Sequence, residues 1–223
     1  MLVIIQARLS SSRLPGKVLM ELGGRPMLAW TVERVRAAQL VSKVVVATST
    51  QKNDDTIAVF CAAQGISCHR GPLDNVAERY AVAVRAEKAD AFLRITGDAP
   101  LIDPAVIDAA IRLYQAGEWD LVSNVLTRSF PIGQSVEVLR SETFLKICCE
   151  MQDPEDREHV TRFLHRHRER FRWVNFASGA DTAAIQLSVD TAEDFATAQY
   201  LVANSAGRPG GWRDLVALLK ARP

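Results

Sequence analysis

Near its start the chain reads QARLSSSRLPGK over residues 6–17, a run that sets three cations, Arg8, Arg13 and Lys17, among small side chains. Small residues let backbone N–H groups approach phosphate oxygens, and three cations spaced by about a turn neutralise a triphosphate. Ala7 and Ser12 belong to the same cradle. The run follows the first apolar segment of the chain, and in open α/β sheets ligands bind outside the carboxyl ends of the strands. It is not a Walker A loop, because Ser11 stands where glycine is needed and Val18 follows Lys17; nor is it a dinucleotide fingerprint, since no GxGxxG occurs.

Two carboxylates have the placement that such a loop requires. Asp98, in RITGDAPLID over residues 94–103, follows the fourth strand, with Gly97 allowing close backbone approach and Thr96 beside it. A carboxylate facing a triphosphate must hold a divalent cation or it repels the substrate, which points to Mg²⁺. Asp103, just before Pro104, is the better helix cap. Asp190, in LSVDTAED over residues 187–194, precedes a helix that Thr191 and Asp194 can cap as a box, leaving Asp190 for the same metal; that Asp190 is itself the cap stays open. Thr48, after the second strand, and Arg70, after the third, sit at the same crevice edge and are assigned to the base and ribose. The basic stretch 156–173 reads mostly as a solvated face, and His165 and His167, two apart, cannot share a helix face to bind metal. Arg157 and His159, at its start, can reach an anionic acceptor.

The elements that must position these groups follow from hydrophobic period. Short β-branched runs at 2–6, 43–47, 66–69 and 91–95 alternate with helical spacing at 26–38, 54–64 and 73–87, the last capped by Asp74 or Asn75, which is the pattern of a mostly parallel sheet covered on both faces. After Asp98 a helix is expected at 104–116 and strands at 120–125 and 135–139, the latter an antiparallel excursion. Helices at 141–151 and 155–168, strands at 172–176 and 185–189 and a helix at 192–204 complete it. The expected organisation is one domain at 1–203, its excursion at about 120–180, a linker at 204–211 and a C-terminal helix at 212–223.

Composition narrows the classes. In 223 residues, 48% hydrophobic, Lys plus Arg (27) nearly balances Asp plus Glu (26), so there is no global basic field for a nucleic acid or an anionic membrane. Four cysteines without a CxxC pair read as buried thiols in a reducing compartment, and the first residues are too short an apolar run for a signal peptide or span. The expectation is a soluble, cytoplasmic protein.

The cradle ARLSSSRLPGK, the run 94–103, the DREHVT run at 156–161 and VDT followed by ED at 189–194 together resemble the cytidylyltransferase family that includes the synthetases of CMP-activated 3-deoxy-manno-octulosonate and sialic acid, and most closely its branch named after spore coat polysaccharide biosynthesis protein F. The resemblance covers about residues 1–203. It implies a Rossmann-like nucleotide-diphospho-sugar transferase fold, CTP as donor, a sugar or sugar-acid acceptor, Mg²⁺ on Asp98 and Asp190, and often a homodimer through the excursion. Asn124, Glu137, Arg157 and His159 would then line the acceptor side. The chain departs from the family at Thr96, where the sugar-acid synthetases carry glutamine, and at Ser135, where the closer branch carries an acid. The alternatives are a glycosyltransferase of the same general fold using a nucleotide-sugar donor, and a non-catalytic nucleotide-binding protein.

Overall fold

The computed structural model describes residues 1–222. The first strand, β1 (Leu2–Gln6), is apolar except at its end, and such a run is stable only in the middle of a sheet. A two-residue hairpin, β2 (Glu21–Leu22) and β3 (Arg25–Pro26), leads into α1 (Met27–Arg36), and β4 (Lys43–Ser49), α2 (Asp55–Ala63), β5 (Ser67–Gly71), α3 (Val76–Glu87), β6 (Ala91–Thr96) and α4 (Pro104–Gln115) continue the alternation. Then come β7 (Leu121–Ser123), β8 (Glu137–Arg140), α5 (Ser141–Glu150), α6 (Pro154–Glu158), α7 (Arg162–Arg166), β9 (Trp173–Asn175), α8 (Ala192–Asn204) and α9 (Trp212–Lys220). The seven-stranded sheet has the order β5-β4-β1-β6-β8-β7-β9, and β8 alone runs antiparallel to its neighbours. This is the doubly covered, mostly parallel sheet with an antiparallel excursion that the hydrophobic pattern calls for.

Period-two alternation divides the core. Val3, Ile5, Val46, Leu93, Ile95 and Val138 face one side, where α1, α4, α8 and α9 pack; Ile4, Val45, Ala47, Phe92 and Leu139 face the other, with Tyr80 of α3 and Phe144 of α5. Caps start the helices where the sequence places them. Asn75 accepts the amide of Glu78 (2.9 Å), Asp103 accepts that of Ala105 (2.8 Å), and Thr191 with Asp194 forms the capping box of α8.

Three expectations are corrected. The helix read at 155–168 is broken into α6 and α7, because His159 leaves the helical region (φ −101°, ψ 51°) so that Val160 enters the core and the Thr161 hydroxyl donates to Glu137 at 2.8 Å. Residues 185–189 are extended but are no regular strand. They are pinned instead by bonds from Ile132 N to Ile185 O, from Leu187 N to Ile132 O and from Val189 N to Asp98 O, all 2.8 Å. The thiols are not uniformly buried: Cys61 is, Cys68 and Cys148 are half-buried and Cys149 is exposed. The residues after 204 stay close to the body of the fold. Trp212, Leu215 and Val216 join the first core face, and Arg34 donates to the carbonyls of Pro209 (2.7 Å) and Gly210 (2.9 Å).

Gly133 is the tightest turn of the excursion. Its φ is +96°, and a Cβ there would lie 2.5 Å from Ser188 N and 2.7 Å from Leu187 C. Backbone cannot yield as a side chain end can, so Gly133→Ala should cost at least about 2 kcal/mol. The check is thermal denaturation, with Tm expected to fall by at least about 4 °C.

Candidate active site

The carboxyl ends of β1, β4, β5, β6, β7 and β9 lie along one edge of the sheet, and antiparallel β8 brings its first residue, Glu137, to that same edge opposite Arg94 and Ser123. The loop after β1 is folded there by its own backbone, with Ser11 N and Gly16 N both donating to Leu9 O at 2.9 Å and Gly16 in the left-handed region (φ 74°). Its other anchor is Asp54, which accepts the amide of Leu9 (2.8 Å) as well as the amide and hydroxyl of Ser49. Nothing in the local sequence of Asp54 marks it as the loop's support, since the contact spans 45 residues.

Each cation of the loop holds a carboxylate. Lys17 Nζ donates to Asp98 Oδ2 (2.9 Å), Asp190 Oδ1 (2.9 Å) and the carbonyl of Val189 (2.7 Å), so all three ammonium protons are used. Arg13 reaches Asp190 at 2.9 Å and Arg8 reaches Glu158 at 2.6 Å. Arg13 is well exposed, but Lys17 is not the surface side chain that a loop position suggests: its side chain is 8% exposed. Gly97 lets the β6 turn lie flush on β1, where a Cβ would stand 2.9 Å from Gln6 O. Asp194 accepts the amides of Asp190 and Thr191 (2.9 and 2.8 Å), which makes Thr191 the cap and leaves the Asp190 side chain turned to Lys17.

Asp98 and Asp190 thus converge on one cation, with the Lys17 ammonium standing at the point that both carboxylates reach. Two partly exposed, hard oxygen donors around one positive charge suit a hard divalent cation. Among the described residues no group of three or more His, Cys, Asp or Glu side chains has metal-binding geometry. Such an ion would complete its shell with substrate oxygens and water, which is the usual habit of Mg²⁺.

A cleft of about 670 Å³ opens over the loop, and Arg8, Arg13, Lys17, Ala7 and Ser12 line it with Thr96, Gly97, Asp98 and Asp190. A second compartment of about 630 Å³ shares Arg94, Thr96, Asp98, His159 and Asp190 with the first and continues to Gly133, Ser135 and Glu137. Four assigned residues are not brought there. Thr48 is buried in β4, and Arg70 turns to the carbonyls of Ser49 and Gln51 and to Asp55. Asn124 is a buried clamp between Gln134 O (2.7 Å) and Val136 N (2.8 Å), and Arg157 donates to Met151 O (3.0 Å). Strand-end position alone does not say to which side a side chain turns.

Two arginines at the cleft, half-buried Arg94 and buried Arg79, escaped the motif reading beyond the former's place at the head of the RITGD run. Arg94 donates to Glu137 at 2.7 Å, and Glu137 also receives the Thr161 hydroxyl (2.8 Å) and the Ser123 hydroxyl (3.1 Å) and sits 3.0 Å from His165 Nε2. Burial by itself pushes the Glu137 carboxyl upward, but His165, the Arg94 charge and Thr161 outweigh it and hold the group down at about 2. Tyr80, pushed up to about 12 chiefly by burial, stays protonated and places its hydroxyl 3.2 Å from Gln6 Oε1 under the cleft floor.

A family model described as "Cytidylyltransferase" matches residues 2–205. The chain is 32% identical over 234 residues to the spore coat polysaccharide biosynthesis protein SpsF of Bacillus subtilis, covering 100% of this chain and 95% of that one. It is 35% identical over 136 residues to the 3-deoxy-manno-octulosonate cytidylyltransferase of Saccharophagus degradans, covering 60% of this chain and 51% of that one. Its structure matches that of a cytidylyltransferase from Leptospira borgpetersenii with a TM-score of 0.93 at 27% identity, over 98% of this chain and 92% of that one.

The Glu137 cluster makes stability depend on pH. An unfolded glutamate titrates near 4.3, so the folded carboxyl binds its proton more weakly; its contribution is complete above about pH 4.3 and is lost as pH falls towards about 2. At about 1.4 kcal/mol per tenfold difference in proton affinity, the group accounts for up to about 3 kcal/mol. Urea unfolding of the wild type and Glu137→Gln between about pH 5 and about pH 2.5 should show that acid-labile component in the wild type and not in the variant. Parallel pH dependences would remove Glu137 from this role.

Proposed function

The chain belongs to the cytidylyltransferase family, and from that premise we propose that it transfers CMP from CTP to a sugar or sugar-acid acceptor with release of pyrophosphate, using Mg²⁺ held by Asp98 and Asp190. The observation that carries this reading is the meeting of those two carboxylates at the Lys17 ammonium, 2.9 Å from each, at the mouth of the three-cation loop. Family membership supports this reading over the glycosyltransferase alternative.

In this reading the nucleotide lies in the loop compartment. Ala7, Ser12 and Gly97 border its phosphates with backbone and small side chains, and Arg8, Arg13 and Lys17 neutralise the triphosphate. All three cations exchange carboxylate partners for phosphate oxygens when the nucleotide enters. Asp98 and Asp190 would hold a divalent ion, which would supply charge neutralisation for the phosphates. An oxygen of the acceptor attacks the α-phosphorus, the bond to the β-phosphate oxygen breaks, and pyrophosphate leaves. No protein nucleophile is required, so positioning and electrostatic stabilisation supply the rate. The acceptor enters through the second compartment, where His159 faces it. Glu137, almost wholly buried, acts by holding Arg94 and His165 in the wall. Thr96, shared by both compartments, borders nucleotide and acceptor alike. A homodimer through the 120–180 excursion and a cytoplasmic setting belong to the same proposal; in support of the latter, no helix of the described residues is long and apolar enough to cross a membrane.

A pyrophosphate-release screen of the four ribonucleoside triphosphates with Mg²⁺ against 3-deoxy sugar acids and sugar phosphates tests the reaction. Turnover is expected with CTP and a sugar or sugar acid, and no release with any pair would refute it. Within that assay, Asp98→Asn and Asp190→Asn should each reduce turnover at least about 100-fold while the fold is kept. The double variant should lose little more, since groups acting as one unit are non-additive. A normal rate in Asp190→Asn beside a dead Asp98→Asn would reduce the metal site to one carboxylate.

A further inference from the structure

Arg79 stands in the first turn of α3, four residues after the cap Asn75, and is 2% exposed, yet it lines the cleft over the β1 loop. A guanidinium carries five N–H donors. Here one of them donates to Leu73 O at 3.3 Å, the buried Nε has no partner, and no carboxylate of the described residues lies within 4.0 Å. The other three arginines of this cleft wall differ: Arg8 is paired with Glu158, Arg13 with Asp190 and Arg94 with Glu137. The Arg79 stem is set in place by Gly71 at the end of β5, where a Cβ would come within 2.9 Å of Arg79 Cγ. Burial, and after it the like charge of Arg8, lowers the proton affinity of the guanidinium, and the more distant carboxylates of Glu158 and Asp54 offset only part of this. A buried charge without a directly paired counter-charge is costly, and such costs are retained mainly at sites that a ligand completes.

We propose that Arg79 is a nucleotide-binding residue, whose unpaired donors are completed by acceptor atoms of the nucleoside triphosphate: phosphate oxygens, or the O2 and N3 edge of the base. This rests on the nucleotidyl-transfer reading above. The ligand is the nucleotide rather than the acceptor because Arg79 borders the compartment of the cation loop and does not border the compartment of Ser135 and Glu137. Leu73 and Asp74 border the same end, ahead of the α3 cap.

The test compares wild type, Arg79→Met and Arg79→Lys by titration calorimetry with CTP and with inorganic tripolyphosphate in the presence of Mg²⁺, and by thermal denaturation without nucleotide. Arg79→Met keeps an unbranched apolar stem and removes the buried charge, so its Tm should equal or exceed that of the wild type while its affinity for CTP falls about tenfold or more. Arg79→Lys keeps the charge but not the planar donor fork, and its affinity should also fall, which preserves the test if the methionine variant does not fold. A parallel loss for tripolyphosphate assigns the donors to phosphate; an unchanged tripolyphosphate affinity assigns them to the nucleoside. Wild-type CTP affinity in either folded variant overturns the Arg79 proposal and leaves the nucleotidyl-transfer reading standing. A wild type that binds no nucleoside triphosphate overturns both.

Discussion

The Lys17 ammonium is the contact on which the site's architecture rests. It lies almost entirely out of water and is satisfied only by bringing Asp98, Asp190 and the Val189 carbonyl to one point. Those groups come from the turn after β6 and from the segment before α8, up to 173 residues from Lys17. Removing one partner leaves a buried ammonium short of an acceptor, which is unfavourable. The interaction therefore registers three chain segments against one another more strictly than packing alone would. With Arg13 on Asp190, two carboxylates face two cations, so the set is neutral within the protein. The same four groups are what a triphosphate and a divalent cation together would need.

The rest of the fold can be read as support for that point. Parallel β1, β4, β5 and β6 bring their carboxyl ends to one edge, and the hydrogen bond from Gly97 N to Gln6 O (2.8 Å) binds the β6 turn to the β1 exit. Asp54 does for the back of the β1 loop what Lys17 does for its front. Reversing a single strand, β8, delivers Glu137 to the same edge, where a carboxylate with Arg94, Thr161, Ser123 and His165 around it forms a rigid wall for the second compartment. Thr161 can reach it only because the helix breaks at His159, so the loss of regular helix there serves the wall.

Much of this was legible in the residues themselves. Apolar period two and period 3.6 placed the alternating strands and helices, because burial on a sheet face or a helix stripe depends on local spacing alone. The bounds of β1 and α8 match the reading at 2–6 and 192–204. Capping is equally local: Asn75, Asp103 and the Thr191–Asp194 box need partners no more than three residues away. The cation loop and the aspartates after extended segments were visible because residue type and position along such a segment suffice to put them at the crevice edge.

What the tertiary structure alone decided is direction and partnership. Thr48, Arg70, Asn124 and Arg157 are near the edge in sequence terms but spend their polar groups elsewhere or face the core, a choice set by pleat and neighbouring backbone. Asp54 and Arg79 carry no motif of their own, and Arg94 only heads the RITGD run; their roles come from neighbours far away in the chain. Local sequence determined which segments fold and which residues reach the cleft edge, since those follow from near-neighbour spacing. The pairing of Lys17 with Asp98 and Asp190, the anchoring of the loop by Asp54 and the unpaired charge of Arg79 arise only once chain segments remote in sequence are packed together, because electrostatic and hydrogen-bond partners are selected by distance in space.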